Sequence, residues 1–155
     1  MKHKLLTIIT AAGLFLFMTV TAFAETATTT VETEYFPDGS YAVITTAIEP
    51  VSITTFATET TKSASRTYTY YAANNSKEWT FTLTGTFTYN GTTAKATKAE
   101  TSYNIYVSGW KCIYKHGSVS GAVATGQGTF QYKSGLTKNV SLSLKCSPTG
   151  SISSI

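Results

Sequence analysis

Few side chains in this sequence can carry chemistry, and their spacing argues against most reactions. Beyond residue 24 the chain has one histidine (His116), one aspartate (Asp38) and two cysteines (Cys112 and Cys146). A Ser–His–acid relay needs its histidine oriented by a carboxylate and its nucleophile held in a sharp turn; neither pattern surrounds His116. His116 lies in the glycine-containing stretch His116-Gly117-Ser118, which reads as a turn, and is expected at the surface. A zinc site needs three or four ligands at defined spacing, and a calcium cage needs several carboxylates. Glu78 and Glu100 are the only acids after residue 59 and could be imagined as a glycosidase pair. Each reads instead as a solvated charge beside Lys77 or Lys98. No catalytic residue, metal or cofactor is expected, and the chain reads as non-enzymatic.

Cys112 and Cys146 both fall on the core-facing parity of their strands. In an exported chain such a pair is expected to form a disulfide, contributing about 3–4 kcal/mol in the chain-entropy model. The alternative is two buried free thiols.

The elements that must position these residues are strands. Residues 79–89 place a threonine at every second position, with Trp79, Phe81, Leu83, Phe87 and Tyr89 between. Strand side chains alternate between faces, so this stretch has an apolar face and a hydroxyl face, whereas a helix would scatter both. Burial of the apolar face is worth about 8–15 kcal/mol, so core-building is its expected role. Gly85 interrupts that face, which predicts a bend or a large side chain from an opposing sheet.

Further strands are expected at 31–36, 41–48, 51–56, 67–71, 97–107, 110–114, 119–132 and 140–146. Pro37-Asp38-Gly39-Ser40 and Asn90-Gly91 carry hairpin-turn chemistry, and 67–71 should pair antiparallel with 79–89. Residues 59–65 read as a polar loop. Ser108-Gly109 breaks the alternation, which predicts a bulge that keeps Tyr103, Ile105 and Val107 on the same side as Trp110, Cys112 and Tyr114. The expected fold is an all-β antiparallel sandwich of 8–9 strands, with a small closed barrel as the alternative.

The first residues give the destination. Met1-Lys2-His3-Lys4, an apolar run from 5 to 20 and Ala22-Phe23-Ala24 have the form of a secretory signal peptide, cleaved between Ala24 and Glu25. Residues 25–30 read as a flexible leader, and 31–155 as one domain. After cleavage 131 residues remain, of which 43 are Ser or Thr, together with all ten tyrosines. Only three prolines are present, so this is the composition of an extracellular β domain and not of a mucin-like stalk. The six acids of 25–59 stand against ten bases in 60–155. The bases are scattered singly, so the two halves are expected to neutralise each other and nucleic acid is not an expected partner. The tail after Cys146 has no apolar stretch that would hold the chain in a membrane or wall.

Three segments carry a resemblance: 36–41 (FPDGSY), 66–71 (RTYTYY) and 85–91 (GTFTYNG), with Trp110 and the late stretch 144–150 completing the pattern. Together they resemble an uncharacterised family of small secreted proteins from clostridia-like Gram-positive gut bacteria, across essentially the whole mature chain. The resemblance brings no catalytic residues. Members of that family often place a cysteine shortly after the Tyr-Asn-Gly turn, where this chain has Thr92 to Ala96, so it leaves the partner of Cys146 open.

The expected function is a secreted, monomeric module that binds a protein or glycan at or near the cell surface, since tyrosine-rich strands offer rigid amphipathic contact area. A membrane-active or pore-forming protein is the alternative, because 79–89 is long enough to cross a bilayer within a barrel.

Overall fold

The structure, a computed structural model, describes residues 27–51 and 59–155. The expected signal peptide, its cleavage point at Ala24 and Glu25, and the strand expected at 51–56 (Val51 apart) lie outside the described residues.

Nine strands are present among the described residues: β1 (Thr28–Tyr35), β2 (Tyr41–Ile48), β3 (Thr60–Tyr71), β4 (Lys77–Tyr89), β5 (Ala94–Ile105), β6 (Trp110–Ser120), β7 (Val123–Tyr132), β8 (Thr137–Cys146) and β9 (Ile152–Ser154). They form two antiparallel sheets, β1-β2-β3-β4-β5 and β6-β7-β8-β9, in which every strand pairs with its neighbour in sequence. The chain therefore crosses between sheets once, after β5. The two sheets do not close into a barrel, and a β-sandwich is the architecture.

β4 is the spine of the first sheet. Trp79, Phe81, Leu83 and Phe87 are wholly buried against the second sheet, and the threonines of the other face are half-buried or, for Thr80, buried. Phe130 of β7 lies flat on Trp79 at 3.9 Å, with edge contacts to Phe81 and Tyr103. The gap at Gly85 is filled locally: a Cβ there would come within 2.8 Å of the Phe87 ring and 3.1 Å of Ala124. No large side chain arrives from the opposing sheet; the strand's own phenylalanine folds back over the glycine. The ladder to β5 also slips by one residue just beyond, between Thr86 and Phe87, leaving Thr97 as the extra residue.

Several sequence expectations are corrected. β1 begins at Thr28, so residues 28–30 of the expected leader are strand, held by the register Thr28↔Ile48 to Tyr35↔Tyr41. The loop expected at 59–65 is the first half of β3, continuous with the expected 67–71 strand and paired with β4 from Thr60↔Tyr89 onward. Its inward positions are Lys62, Ala64 and Arg66, all buried. Polar residues at inward positions hide the alternation that marks a strand.

The phase break at Ser108-Gly109 is the crossover between sheets and not a bulge within one strand. Gly109 has φ +102°, a left-handed conformation open to glycine, and Lys133 donates its N–H to the Gly109 carbonyl at 2.8 Å. The bulge in this region comes later, at Ile113, where the β6–β7 register shifts. The expected turn at 116–118 lies inside β6, and the chain reverses at Gly121-Ala122. Gly117 is there for closeness: a Cβ would strike the carbonyl oxygen of Ala99 on β5. With the Ala96 N–H donated to the Gly121 carbonyl at 2.8 Å, this contact closes one edge of the sandwich.

At the opposite edge the sheets are unequal. β8 packs on β3 and β4, β7 on β4 and β5, and β6 on β5, while β2 still turns a buried face with Ala42 and Thr46 inward and β1 is exposed at every position. Acids of the N-terminal strands reach later cations: Glu32 pairs with Arg66 at 3.1 Å, and Asp38 with Lys138 at 3.7 Å. The Arg66 guanidinium also donates to the Ser143 carbonyl of β8 at 3.4 Å, tying β1, β3 and the second sheet together.

Candidate binding site

The residues singled out for chemistry do not converge. Cys112 stands opposite Phe130, whereas Cys146 lies beyond the Lys145↔Val123 pair at the far end of β7. Cys146 is level with Ala122, so eight positions of about 3.3 Å separate the two levels, and β7 itself intervenes. A disulfide needs Cα atoms no more than about 7 Å apart, so the expected bridge does not form. Both thiols are free. Shared parity places two side chains on one face, not at one end of it. Cys112 Sγ donates to the Tyr114 carbonyl at 3.2 Å, Cys146 Sγ to the Ser147 carbonyl at 3.4 Å, and burial pushes both thiols above the ordinary range.

His116 is exposed on the outer face of the second sheet, 6.5 Å from the Tyr114 ring. Glu100 sits opposite Thr84, six positions along β4 from Glu78 and so about 20 Å away, well outside the carboxylate spacing of glycosidases. Glu100 pairs in solvent with Lys98 at 2.9 Å, as expected. Among the described residues no group of three His, Cys, Asp or Glu side chains could hold a metal.

Glu78 departs from its expectation. Instead of a solvated partner of Lys77, it is 8% exposed and accepts the Trp110 indole N–H on Oε2 at 2.8 Å. The cause is a β-bulge. Tyr70 pairs with Trp79 and Tyr71 with Lys77, leaving Glu78 as the unpaired residue, and its carbonyl takes the N–H groups of Tyr106 and Val107. The bulge turns the carboxylate toward the mouth of the sandwich.

Around this bulge the aromatic residues collect. On the outer face of the first sheet the register sets Tyr35, Tyr41, Tyr71 and Lys77 side by side across four strands. Tyr41 and Tyr71 stack at 4.8 Å with planes 7° apart, and Tyr35 leans on Tyr41 at 5.9 Å. The Lys77 ammonium lies 4.2 Å from the Tyr106 ring, and hydrogen bonds from Lys77 and Thr80 hold the Tyr106 phenol below its ordinary range. With neighbouring strands about 4.8 Å apart, the ridge is about 19 Å long. Because Tyr41 and Tyr71 occupy each other's faces, the ridge presents ring edges and hydroxyls, while Tyr35, 77% exposed, keeps an open face.

Behind the ridge the same face is a field of small hydroxyls. Thr45, Thr67, Thr82 and Ser102 stand opposite one another on successive strands, and the Thr67 and Thr82 hydroxyls are 2.9 Å apart. Glu100 is the one charge in the three rows next to the ridge.

Inside the same end, between the sheets, opens a cleft of about 240 Å³ lined by Tyr70, Glu78, Val107, Trp110, Tyr132 and Leu136. The Trp110 ring stands at 74° to Tyr70 and 52° to Tyr132, at 5.7 and 5.3 Å. The ridge was legible in part, since 66–71 and the hairpin turn before Tyr41 fix its register. The cleft was not, because its carboxylate depends on a bulge. Comparison with family models, curated proteins and solved structures gives no match to this chain.

Proposed function

We propose that this chain is a secreted, non-enzymatic β-sandwich of the Gram-positive cell surface that binds a neutral glycan along the outer face of its five-stranded sheet. The observation that carries this reading is the cross-strand ridge of Tyr35, Tyr41, Tyr71 and Tyr106 set against an almost uncharged threonine face. Phenol and threonine hydroxyls both donate and accept, matching a polymer whose surface is itself hydroxyls. The open face of Tyr35 supplies the apolar half that a sugar ring stacks on. A polyanion would meet no cluster of cations here, since Lys77 is engaged with Tyr106. The membrane-active alternative would need the aromatic face of β4 against lipid, and that face is enclosed between the sheets.

The test is retention of the purified protein on a panel of neutral and anionic polysaccharides, with a glycan array for ligand identity. Tyr35→Ala with Tyr71→Ala should weaken retention about tenfold with little dependence on salt, while the variant, its melting transition lowered by loss of the Tyr41–Tyr71 stack, stays folded at the assay temperature. Retention that survives loss of the ridge, or capture of a protein partner with no glycan bound, overturns the assignment.

A further inference from the structure

The cleft between the sheets has a chemistry of its own, separate from the ridge. Three aromatic rings, Tyr70, Trp110 and Tyr132, wall it from different directions, and Leu136 and Val107 complete an apolar lining. A single carboxylate enters that lining. Glu78 Oε2 is fixed by the Trp110 indole at 2.8 Å, while Oε1 accepts no hydrogen bond from the described residues and is not enclosed. We propose that this cleft binds an organic ammonium group, with the cation against the rings and beside Glu78 Oε1.

The choice among ligand classes follows from what each would leave unpaired. An anion would face the carboxylate. A neutral apolar group would bury Glu78 without a counter-charge, and a neutral polar group would find few partners in so apolar a lining. A cation satisfies the carboxylate and the negative ring faces together, which is how alkylammonium groups are held in aromatic cages. The chain's own lysines show the affinity of these rings for ammonium: Lys138 Nζ lies 5.1 Å from the Tyr70 ring centre, and Lys133 Nζ lies 5.8 Å from that of Tyr132. Lys138 is itself balanced by Asp38 at 3.7 Å, so its charge is offset near the cleft.

The experiment follows the Trp110 indole N–H, which reports directly on its bond to Glu78, by ¹H–¹⁵N correlation spectra of the intact protein, with Trp110→Phe to assign the signal. Choline chloride and glucosamine hydrochloride are titrated beside their neutral counterparts, 3,3-dimethylbutan-1-ol and N-acetylglucosamine. One of the two ammonium compounds should move the Trp110 signal saturably and bind about tenfold tighter than its neutral counterpart. Which of the two does so identifies a quaternary or a primary ammonium as the ligand. Glu78→Gln keeps an acceptor for the indole and should erase the preference for charge. The paired Tyr35→Ala and Tyr71→Ala variant should leave the response intact, which separates this site from the glycan face. Equal binding of charged and neutral compounds, or a Trp110 signal that none of them moves, overturns the proposal. Should Glu78→Gln fail to fold, the comparison of charged and neutral probes on the unaltered protein decides alone.

Discussion

Gly85 and Phe87 offer a sharp test of how this core is packed. In β4 they share the inward face two residues apart, and the Phe87 ring lies over the glycine so closely that a Cβ at 85 would sit 2.8 Å from two ring carbons. Ala124 of the opposing sheet closes the other side at 3.1 Å, and Phe87 is wholly buried, so the ring cannot swing into solvent. Gly85→Ala should therefore destabilise by about 1–3 kcal/mol through overpacking, against the 0.5–1 kcal/mol that alanine ordinarily gains over glycine in a strand. Phe87→Leu should cost about 1–2 kcal/mol on its own, as lost aromatic area. The double variant removes the clash, because a leucine leaves space where the ring edge was. Its cost should fall short of the sum by at least about 1 kcal/mol. Urea unfolding of the four proteins, followed by the combined fluorescence of Trp79 and Trp110, measures this coupling. Additivity within about 0.3 kcal/mol would show that the ring does not occupy the glycine's space, and the account of this core would fail.

The free thiols make a second expectation: reducing and non-reducing melts should coincide, and intact mass after denaturation in iodoacetamide should show two adducts. Cys146, buried in the core, should label only on unfolding, while half-buried Cys112 labels first. Alkaline pH gives a third. Burial, helped by the charges of Glu34 and Tyr70, raises the Tyr68 phenol well above its ordinary value. A raised folded-state value means that stability is complete below the unfolded value near pH 10 and falls as pH rises beyond it. Tyr68→Phe should flatten that alkaline limb in a pH series of urea midpoints, and an unchanged slope would count against burial as the cause.

Much of the fold was legible because alternation survives wherever one face meets the core. Residues 79–89 and 140–146 gave both strand and face, and the turns at Gly39 and Gly91 gave the hairpins that fix register. The first half of β3 was hidden because Lys62 and Arg66 occupy inward positions that ordinarily hold apolar side chains. Gly117 misled for another reason. Glycine signals both turns and close approach, and only the partner strand tells which applies. The cysteine bridge failed because parity says nothing about distance along a strand. Of the proposed binding surface, the tyrosines of 35, 41 and 71 follow from register once the hairpins are known. Glu78 does not, since a bulge of one residue moves a side chain from solvent to cleft without any change in composition.

The unequal edges of the sandwich bear on how the proposed glycan would dock. The contact of Gly117 with Ala99 binds the two sheets like the spine of a book, whereas β1, exposed at every position and tied back by its ladder to β2 and the Glu32–Arg66 pair, is the outermost leaf at the fore-edge. Local opening takes least free energy where fewest apolar contacts must break, so amide exchange should slow from β1 inward to β4. The tyrosine ridge runs across this gradient. Tyr35 rides on the leaf that yields, while Tyr106 is held near the spine by Lys77 and Thr80. A long ligand would thus find one end of its seat fixed and the other able to adjust, so that docking proceeds from the spine outward and settles the outermost leaf last.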